Sequence, residues 1–338
     1  MALSVASLIA AAAISFGLLL WLRPLLARYA LAKPNARSSH KEPTPQGGGI
    51  AVIAAAALVV AASEFLYLPR TDESLPLVVV FVSAFGLAVV GAVDDVRPLQ
   101  AIPRLVLQTA AVVAVITALP RDIQIMPTLP LWLDRTLAVI GGVWLVNAVN
   151  FMDGIDWMTV AEIVPVTAGL ALFGFMGALP TDAILVAVAL CGAVIGFAPF
   201  NRPVAKIFLG DVGSLPIGLL LAWLLALLAG NGHLVAAILL PLYYFADATI
   251  TLIRRLIDGE RITQAHRSHF YQRALDGGLS VFQIVGRVFA ANLVLAGLAA
   301  ISLSSNWAIV QSTTLAVGVI LVGALLWTFD HAGSRARR

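Results

Sequence analysis

Long apolar runs separated by short polar breaks recur along nearly the whole chain, from residue 2 to residue 327. A helix needs about 20 apolar residues to cross the hydrocarbon core of a bilayer. The pattern therefore predicts an all-α, polytopic membrane bundle of about eleven transmembrane helices. In rough bounds they cover 3–22, 48–68, 76–93, 103–119, 133–150, 159–177, 182–198, 212–229, 234–253, 282–303 and 307–327.

Composition excludes an ordinary soluble protein. Of the 338 residues, 60% are hydrophobic and 12% are charged, whereas soluble domains carry about 25% charged residues. The mean hydropathy is +0.96. The first span lacks a basic start and a small-residue cleavage site, so we expect a retained anchor rather than a signal peptide. Cys191, the single cysteine, excludes an internal disulfide and a cysteine metal cluster.

Basic residues are unevenly divided between the two sets of alternate loops. Arg70, Arg121 and Arg135 fall on one side, and the other 18 of the 21 Lys and Arg residues fall on the opposite side. Because Lys and Arg favour cytoplasmic loops, this predicts an N-terminus outside and a C-terminus in the cytoplasm, as in a bacterial inner-membrane protein. Such a face would meet anionic lipid headgroups. Nucleic acid is not an expected partner, since no recognition motif accompanies the charge.

We interpret residues 1–338 as one membrane-embedded domain with five polar loops on the cytoplasmic side. Their approximate bounds are 23–47, 94–103, 150–158, 199–211 and 254–281.

The first two loops offer glycines and carboxylates. Glycines 47–49 precede a span, where their N–H groups could bind an anion or their small size could allow close helix packing. Asp94 and Asp95 are adjacent at a membrane boundary, where like charges repel and desolvation is costly. They fit metal binding or proton handling, or a solvated N-cap pair.

The remaining loops add amide, acid and basic groups. Asn147 and Asn150 share a helix face and precede Asp153 and Asp156, which suits either a pocket for a nucleobase or sugar, or solvated helix caps. Asp211 lies between glycines at a helix start and fits either a Mg²⁺ ligand or an N-cap. The cluster at 266–269 offers imidazole and guanidinium donors for phosphate. Convergence of all five loops favours Mg²⁺-assisted phosphoryl transfer.

Five motifs occur in order along the chain: RSSH at 37–40 followed by PTP and GGG, DD at 94–95, NFMDGID at 150–156, FLGDVGS at 208–214 and HRSH at 266–269. Together they resemble the polyprenyl-phosphate N-acetylhexosamine-1-phosphate transferases of glycosyltransferase family 4, relatives of the phospho-MurNAc-pentapeptide translocase. The resemblance spans residues 33–273. The last motif is HRSH rather than a three-histidine run, which favours the branch that primes O-antigen, capsule or exopolysaccharide synthesis.

The resemblance implies a reaction and its partners. The phosphate of undecaprenyl phosphate would attack the β-phosphorus of a UDP-activated N-acetylamino sugar, and UMP would leave. Mg²⁺ would be the cofactor, with Mn²⁺ as the alternative ion. The expected partners are these two substrates and membrane lipids, and a homodimer is compatible with the resemblance.

The resemblance also assigns site residues by position. Asp94, Asp95 and Asp211 would form the catalytic centre, with Asp211 and Asp95 as metal ligands and Asp94 as a debated proton acceptor. Phe208 would stack on uracil. The whole predicted substrate-binding set is Arg37, His40, Asn150, Asp153, Asp156, Asn201, Phe208, His266, Arg267 and His269.

Two positions depart from the family pattern and one is unexplained. Trp157 replaces the usual second glycine and could crowd the sugar pocket, and Gln46 replaces the usual arginine before the glycines. Asp247 lies within a predicted span, where a carboxylate is a functional candidate, although pairing with Arg254 would also account for it.

Two other classes of protein share the general pattern. A transporter or flippase would also have many spans, but its buried charges usually lie near the bilayer midplane on broken, repeated helices. A non-catalytic scaffold would not need five acidic sites on one side. The clustering of the carboxylates at loop edges on one side therefore favours an enzyme.

Overall fold

The computed structural model describes residues 2–32, 43–67, 75–260 and 266–335. These residues are mostly helical, apart from the two-residue strands β1 (Leu31–Ala32) and β2 (Thr44–Pro45), which pair antiparallel. The helices are α1 (Ala2–Tyr29), α2 (Gly49–Tyr67), α3 (Leu75–Val96), α4 (Ala101–Thr117), α5 (Leu131–Met152), α6 (Met158–Phe175), α7 (Thr181–Asn201), α8 (Asp211–Leu228), α9 (Leu234–Leu239), α10 (Leu242–Ile257), α11 (Phe270–Asp276), α12 (Val281–Leu303) and α13 (Ala308–Arg335).

Nine helical stretches of the described residues are long and apolar enough to cross a membrane. A tenth, α4, is apolar but only 17 residues long. The structure confirms the predicted all-α polytopic bundle. The side of the membrane on which each terminus lies stays a prediction.

Helix α8 lies at the centre of the bundle and is apolar on every side. Every residue over 212–228 is buried, mainly against α3 and α5. A helix that is hydrophobic all round requires neighbours on all faces. Small residues let those neighbours approach: a side chain added at Gly49 would place its Cβ 2.1 Å from the Cα atom of Gly213. This contact brings the start of α2 directly against the start of α8.

The predicted span over 234–253 is not one helix. A π-helical turn at Ala229–His233 contains Gly232, whose φ of 91° lies in the left-handed region that favours glycine. Helix α9 follows for six residues, and α10 then begins after Pro241. Helix α10 is amphipathic, with Arg254 and Arg255 in its last turn. The break turns the polar face of α10, which includes buried Asp247, into the bundle.

The two ends of the bundle differ in what they carry. At the site end, α3, α5 and α7 end and α8 begins, and hydrogen bonds join Asp211 to both Asp95 and Asn150. At the far end, α4 and α8 end and α5 begins, and Ile123 packs against Gly230. The predicted polar loops, as far as they are described, meet at the site end.

Candidate active site

The N-terminus of α8 is capped by a side chain from α3. Asp95 accepts hydrogen bonds from the backbone N–H groups of Asp211 (2.9 Å to Oδ1) and Val212 (3.1 Å to Oδ2). A carboxylate is stabilised there because it satisfies free N–H groups at the positive end of the helix dipole. Gly210, with φ of 77°, lies so close that an added Cβ would be 2.5 Å from Asp95 Oδ2. Because Gly210 of the fourth loop has no side chain, the Asp95 carboxylate has room to cap α8.

An arginine joins two of the three predicted catalytic aspartates. Arg104 Nη1 of α4 lies 2.7 Å from Asp94 Oδ2 and 3.3 Å from Asp211 Oδ2. Asp94 also accepts a 2.6 Å hydrogen bond from the backbone N–H of Leu99. The carboxylates of α3 and α8 thus converge on one point, and a single positive charge lies between them.

Asn150, at the end of α5, fixes the other side of Asp211. Its Nδ2 donates to Asp211 Oδ1 at 2.7 Å and to the Ser214 hydroxyl at 2.9 Å. Asn147, one turn earlier, donates instead to Gln108 Oε1 of α4 at 3.0 Å. The two asparagines share a face, as their spacing predicts, and one of them reaches the carboxylate cluster directly.

The third loop contains a carboxyl group with an altered pKa. Burial raises the pKa of Asp153 to about 7, and repulsion from Asp95 and Asp156 adds to the effect. The Thr159 hydroxyl, which donates to Asp153, opposes it. Asp156 differs, because its Oδ2 accepts a 2.9 Å hydrogen bond from the backbone N–H of Ala205 and ties the third loop to the fourth.

Trp157 occupies a position whose backbone conformation favours glycine. Its φ of 62° makes it the only non-glycine residue with positive φ in the described part of the chain. Asn201 Oδ1 accepts its backbone N–H at 2.7 Å, and its indole Nε1 donates to the Ala198 carbonyl at 2.7 Å. The ring packs edge-on against Phe282. The indole is directed at α7 and α12 and does not line the cavity described below, so the interpretation that it crowds the sugar pocket is not supported.

The glycine run of the first loop binds protein rather than presenting free donors. The N–H groups of residues 47 and 48 both donate to the Phe208 carbonyl, and that of residue 49 donates to the Leu209 carbonyl. Gln46, where the family pattern has arginine, donates from Nε2 to the Asp95 carbonyl at 2.7 Å. The close-packing alternative for these glycines is therefore the one that the structure favours.

The fifth loop reaches the site through its histidines. His269 Nδ1 lies 3.0 Å from Asp247 Oδ1, and His266 Nδ1 lies 2.8 Å from the Ser268 hydroxyl. Arg267 instead forms an ion pair with Asp276 at 2.8 Å. The alternative in which Asp247 pairs with Arg254 does not hold, because Arg254 lies against Asp330 of α13.

One cavity of about 1220 Å³ gathers most of the predicted site. The predicted residues that line it are Asp94, Asp95, Asn150, Asp153, Asp156, Asn201, Phe208, Asp211, His266 and His269. Arg267 is not among its lining residues. Arg37 and His40 lie outside the described residues, so their predicted roles stay predictions. Phe208 lines the cavity and is held by a 2.8 Å hydrogen bond from its N–H to the Pro45 carbonyl.

Several lining residues were not predicted from the sequence: Gln46, Arg104, Gln108 and Tyr271. Arg104 and Gln108 are four residues apart and therefore share a face of α4. That spacing was the available signal, because a basic and an amide side chain on one face of an apolar helix need polar partners.

The carboxylates suit a hard cation such as Mg²⁺, which prefers oxygen ligands and often uses one or two carboxylates with substrate phosphates. Asp94 and Asp211 provide two such groups around one point. No group of three or more His, Cys, Asp and Glu residues is arranged to hold a metal among the residues described. Both oxygens of Asp95 already accept backbone hydrogen bonds, and its predicted ligation stays a prediction.

Comparison with known proteins adds independent information. The model of glycosyl transferase family 4 matches residues 77–229. A decaprenyl-phosphate N-acetylglucosaminephosphotransferase of Mycolicibacterium smegmatis is 32% identical, with 77% of this chain and 72% of the relative covered. A probable undecaprenyl-phosphate N-acetylglucosaminyl 1-phosphate transferase of Bacillus subtilis is 28% identical (81% and 79% covered). A phospho-N-acetylmuramoyl-pentapeptide-transferase of Symbiobacterium thermophilum is 30% identical (78% and 83% covered).

Proposed function

The chain belongs to glycosyltransferase family 4, and from that premise we propose that it transfers a phospho-N-acetylamino sugar from a UDP-sugar to undecaprenyl phosphate. The products are an undecaprenyl-diphospho-sugar and UMP. The step would prime an O-antigen, capsule or other cell-envelope polysaccharide. The observation that carries the proposal is the convergence of Asp94, Arg104 and Asp211 at the start of α8, inside a large cavity.

The cavity has two kinds of wall, which support two chemically different substrates. The polar wall comes from the third, fourth and fifth loops, whose carboxylate, amide and imidazole groups suit a nucleotide sugar. The apolar wall comes from α4 and α5 and includes Leu105, Val139 and Ile140. Ile140 is 61% exposed on the outer surface of the bundle. A polyprenyl chain could therefore lie along this wall while its phosphate reaches the aspartates.

The charges support phosphoryl transfer, in which positioning and neutralisation of charge supply most of the rate. One oxygen of the acceptor phosphate would bond to the β-phosphorus of the donor, and the bond from that phosphorus to UMP would break. Arg104 would stabilise negative charge on the transferred group. Asp94 would accept the proton of a singly charged acceptor phosphate. Asp211 and Asp95 would hold Mg²⁺, which would supply neutralisation of the charge on the diphosphate of the donor.

The location of the site is part of the proposal. Arg97, Arg202 and Lys206 belong to the loops of the site end, whereas Arg121 and Arg135 belong to the far end. Because basic loops remain in the cytoplasm, this bias supports a cytoplasmic site in a bacterial inner membrane. UDP-sugars are made in that compartment.

The test is a donor screen with the purified full-length protein in lipid nanodiscs. Undecaprenyl phosphate, Mg²⁺ and one of several UDP-N-acetylamino sugars are supplied, and UMP release and the lipid product are measured. We expect release with at least one donor, loss of release with EDTA, and recovery when Mg²⁺ or Mn²⁺ is added back. Absence of UMP and lipid product with every donor would contradict the proposal.

A further inference from the structure

A fully buried carboxylate lies just behind the cavity wall. Asp247 of α10 has no exposed surface. It accepts a hydrogen bond from His269 Nδ1 at 3.0 Å and two from the first backbone N–H groups of α11, those of Phe270 (3.2 Å) and Tyr271 (3.4 Å). The hydroxyls of Thr251 (3.2 Å) and Tyr243 (3.3 Å) also donate to it. A buried carboxylate is tolerated only with such partners, so its position is strongly determined.

The contact with Asp247 fixes how His269 faces the cavity. An ionised carboxylate only accepts hydrogen bonds, so Nδ1 of the imidazole must carry the hydrogen. Nε2 is then the ring nitrogen left for the cavity, which His269 lines. The ring is confined by neighbouring rings, with the centroids of His266 and Tyr271 at 4.8 Å and 5.7 Å.

Other residues attach the fifth loop to the bundle. A role of Asp247 in orienting His269 can therefore be distinguished from a role in holding the loop in place. Asp330 of α13 pairs with Arg254 at 3.2 Å and with Arg273 at 2.5 Å. Tyr271 donates from its hydroxyl to the Phe151 carbonyl at 3.1 Å. Asp330 does not line the cavity, whereas Asp247 contacts a residue that does.

We propose that Asp247 is a positioning residue of the active site, which holds His269 with Nδ1–H toward itself so that Nε2 contacts a phosphate oxygen of the nucleotide sugar. A protonated ring donates from Nε2 to a phosphate oxygen, and a charged donor forms the stronger hydrogen bond. The identity of the phosphate rests on the proposed function. The pairing and its effect on the ring do not.

The first experiment is a double-mutant cycle on UMP release. Asp247→Asn keeps the shape of the side chain but removes its charge, and His269→Gln removes the ring. We expect Asp247→Asn to lower kcat/KM about tenfold alone and less than twofold in the His269→Gln background, because its effect passes through that ring. Asp330→Asn, the matched control, should act equally in both backgrounds. Equal losses from Asp247→Asn in both backgrounds would overturn the proposal.

The second experiment does not depend on activity. With ¹⁵N-labelled histidine in nanodiscs, the Nδ1–H proton of His269 should give a downfield, slowly exchanging NMR signal that is missing in His269→Gln. It should move upfield in Asp247→Asn and stay in place in Asp330→Asn. An unchanged signal in Asp247→Asn would refute the pairing. If wild type shows this signal but releases no UMP from any donor, the proposed function fails and the positioning of His269 by Asp247 stands.

Discussion

The two ends of the bundle use the same residue types in different ways. At the far end, Arg135 of α5 donates to the carbonyls of Ile116 (3.2 Å), Pro120 (2.6 Å) and Ile123 (2.9 Å), which close the end of α4. Its neighbour Asp134 accepts the backbone N–H of Met126 at 2.8 Å. At the site end, Arg104 Nη1 contacts carboxylates of two other helices.

The difference separates structural charges from candidate catalytic ones. A charge that binds backbone groups satisfies a helix terminus and cannot leave without exposing it. A charge held by other side chains in a cavity can exchange a partner for a ligand at little cost to the fold. By this criterion Arg104 and Asp211 are candidates for the chemistry, the far-end pair has a structural role, and Asp95 shares that role because it caps α8.

The largest effect is expected from Asp211→Asn. The substitution removes a charge on which Arg104 and Asn150 converge, and we expect UMP release to fall about a thousandfold. The thermal unfolding midpoint should change little, because Asp95, not Asp211, caps α8. The matched control is Asp95→Asn, for which we expect a lower midpoint from the weakened cap. A strongly destabilised Asp211→Asn protein would contradict the distinction between structural charges at the far end and candidate catalytic charges at the site end.

Arg104→Met should have the next largest effect. Loss of the guanidinium leaves Asp94 and Asp211 facing each other and removes charge stabilisation of the transferred phosphate, so we expect about a hundredfold loss of kcat. Arg104→Lys should recover part of it, since Lys keeps the charge but not the planar geometry. Steady-state kinetics of UMP release measure both. Activity near wild type in Arg104→Met would place Arg104 with the structural charges.

Arg135→Met tests the far end. Several carbonyls at the end of α4 lose their donor, so we expect the protein to lose about 2 kcal/mol of stability. Thermal unfolding in detergent would show a lower midpoint. UMP release per folded molecule should stay within twofold of wild type. A selective loss of kcat without a loss of stability would contradict the assignment.

The sequence predicted which residues lie at the site end better than it predicted the contacts between them. Apolar run length predicted the helices, because a bilayer restricts which segments can span it. Loop motifs predicted many polar residues of the cavity wall, but not Arg104, Gln108 or Tyr271. The cap that Asp95 provides and the bridge from Arg104 to Asp211 join helices far apart in the chain, and the pair of Asp247 with His269 joins α10 to the start of the next helix, α11. Such pairings depend on how the helices pack, which spacing along one helix does not specify.

Asp153 gives the site end a pH dependence. Because its pKa is raised to about 7 in the folded protein, the folded state favours the neutral form, and ionisation between about pH 4 and 7 lowers stability. Asp153→Asn removes this loss. We expect its unfolding midpoint to exceed that of wild type by a few degrees at pH 8 and to match it at about pH 3, below the ordinary pKa of the carboxyl. A difference that is equal at both pH values would show that the carboxyl does not titrate in this range.

The smallest effect is expected from Trp157→Gly, although the sequence marked this position as the main departure from the family. Glycine relieves the left-handed conformation, worth about 1 kcal/mol, but loses the indole hydrogen bond to Ala198 and the contact with Phe282. These terms nearly cancel, so the unfolding midpoint should move little. The ring lies outside the cavity lining, so the KM values for different UDP-sugars should keep their order. Trp157 would then behave like the far-end charges, as a structural residue that directly follows one of the family motifs. A changed order of donors would instead mean that the indole reaches the sugar.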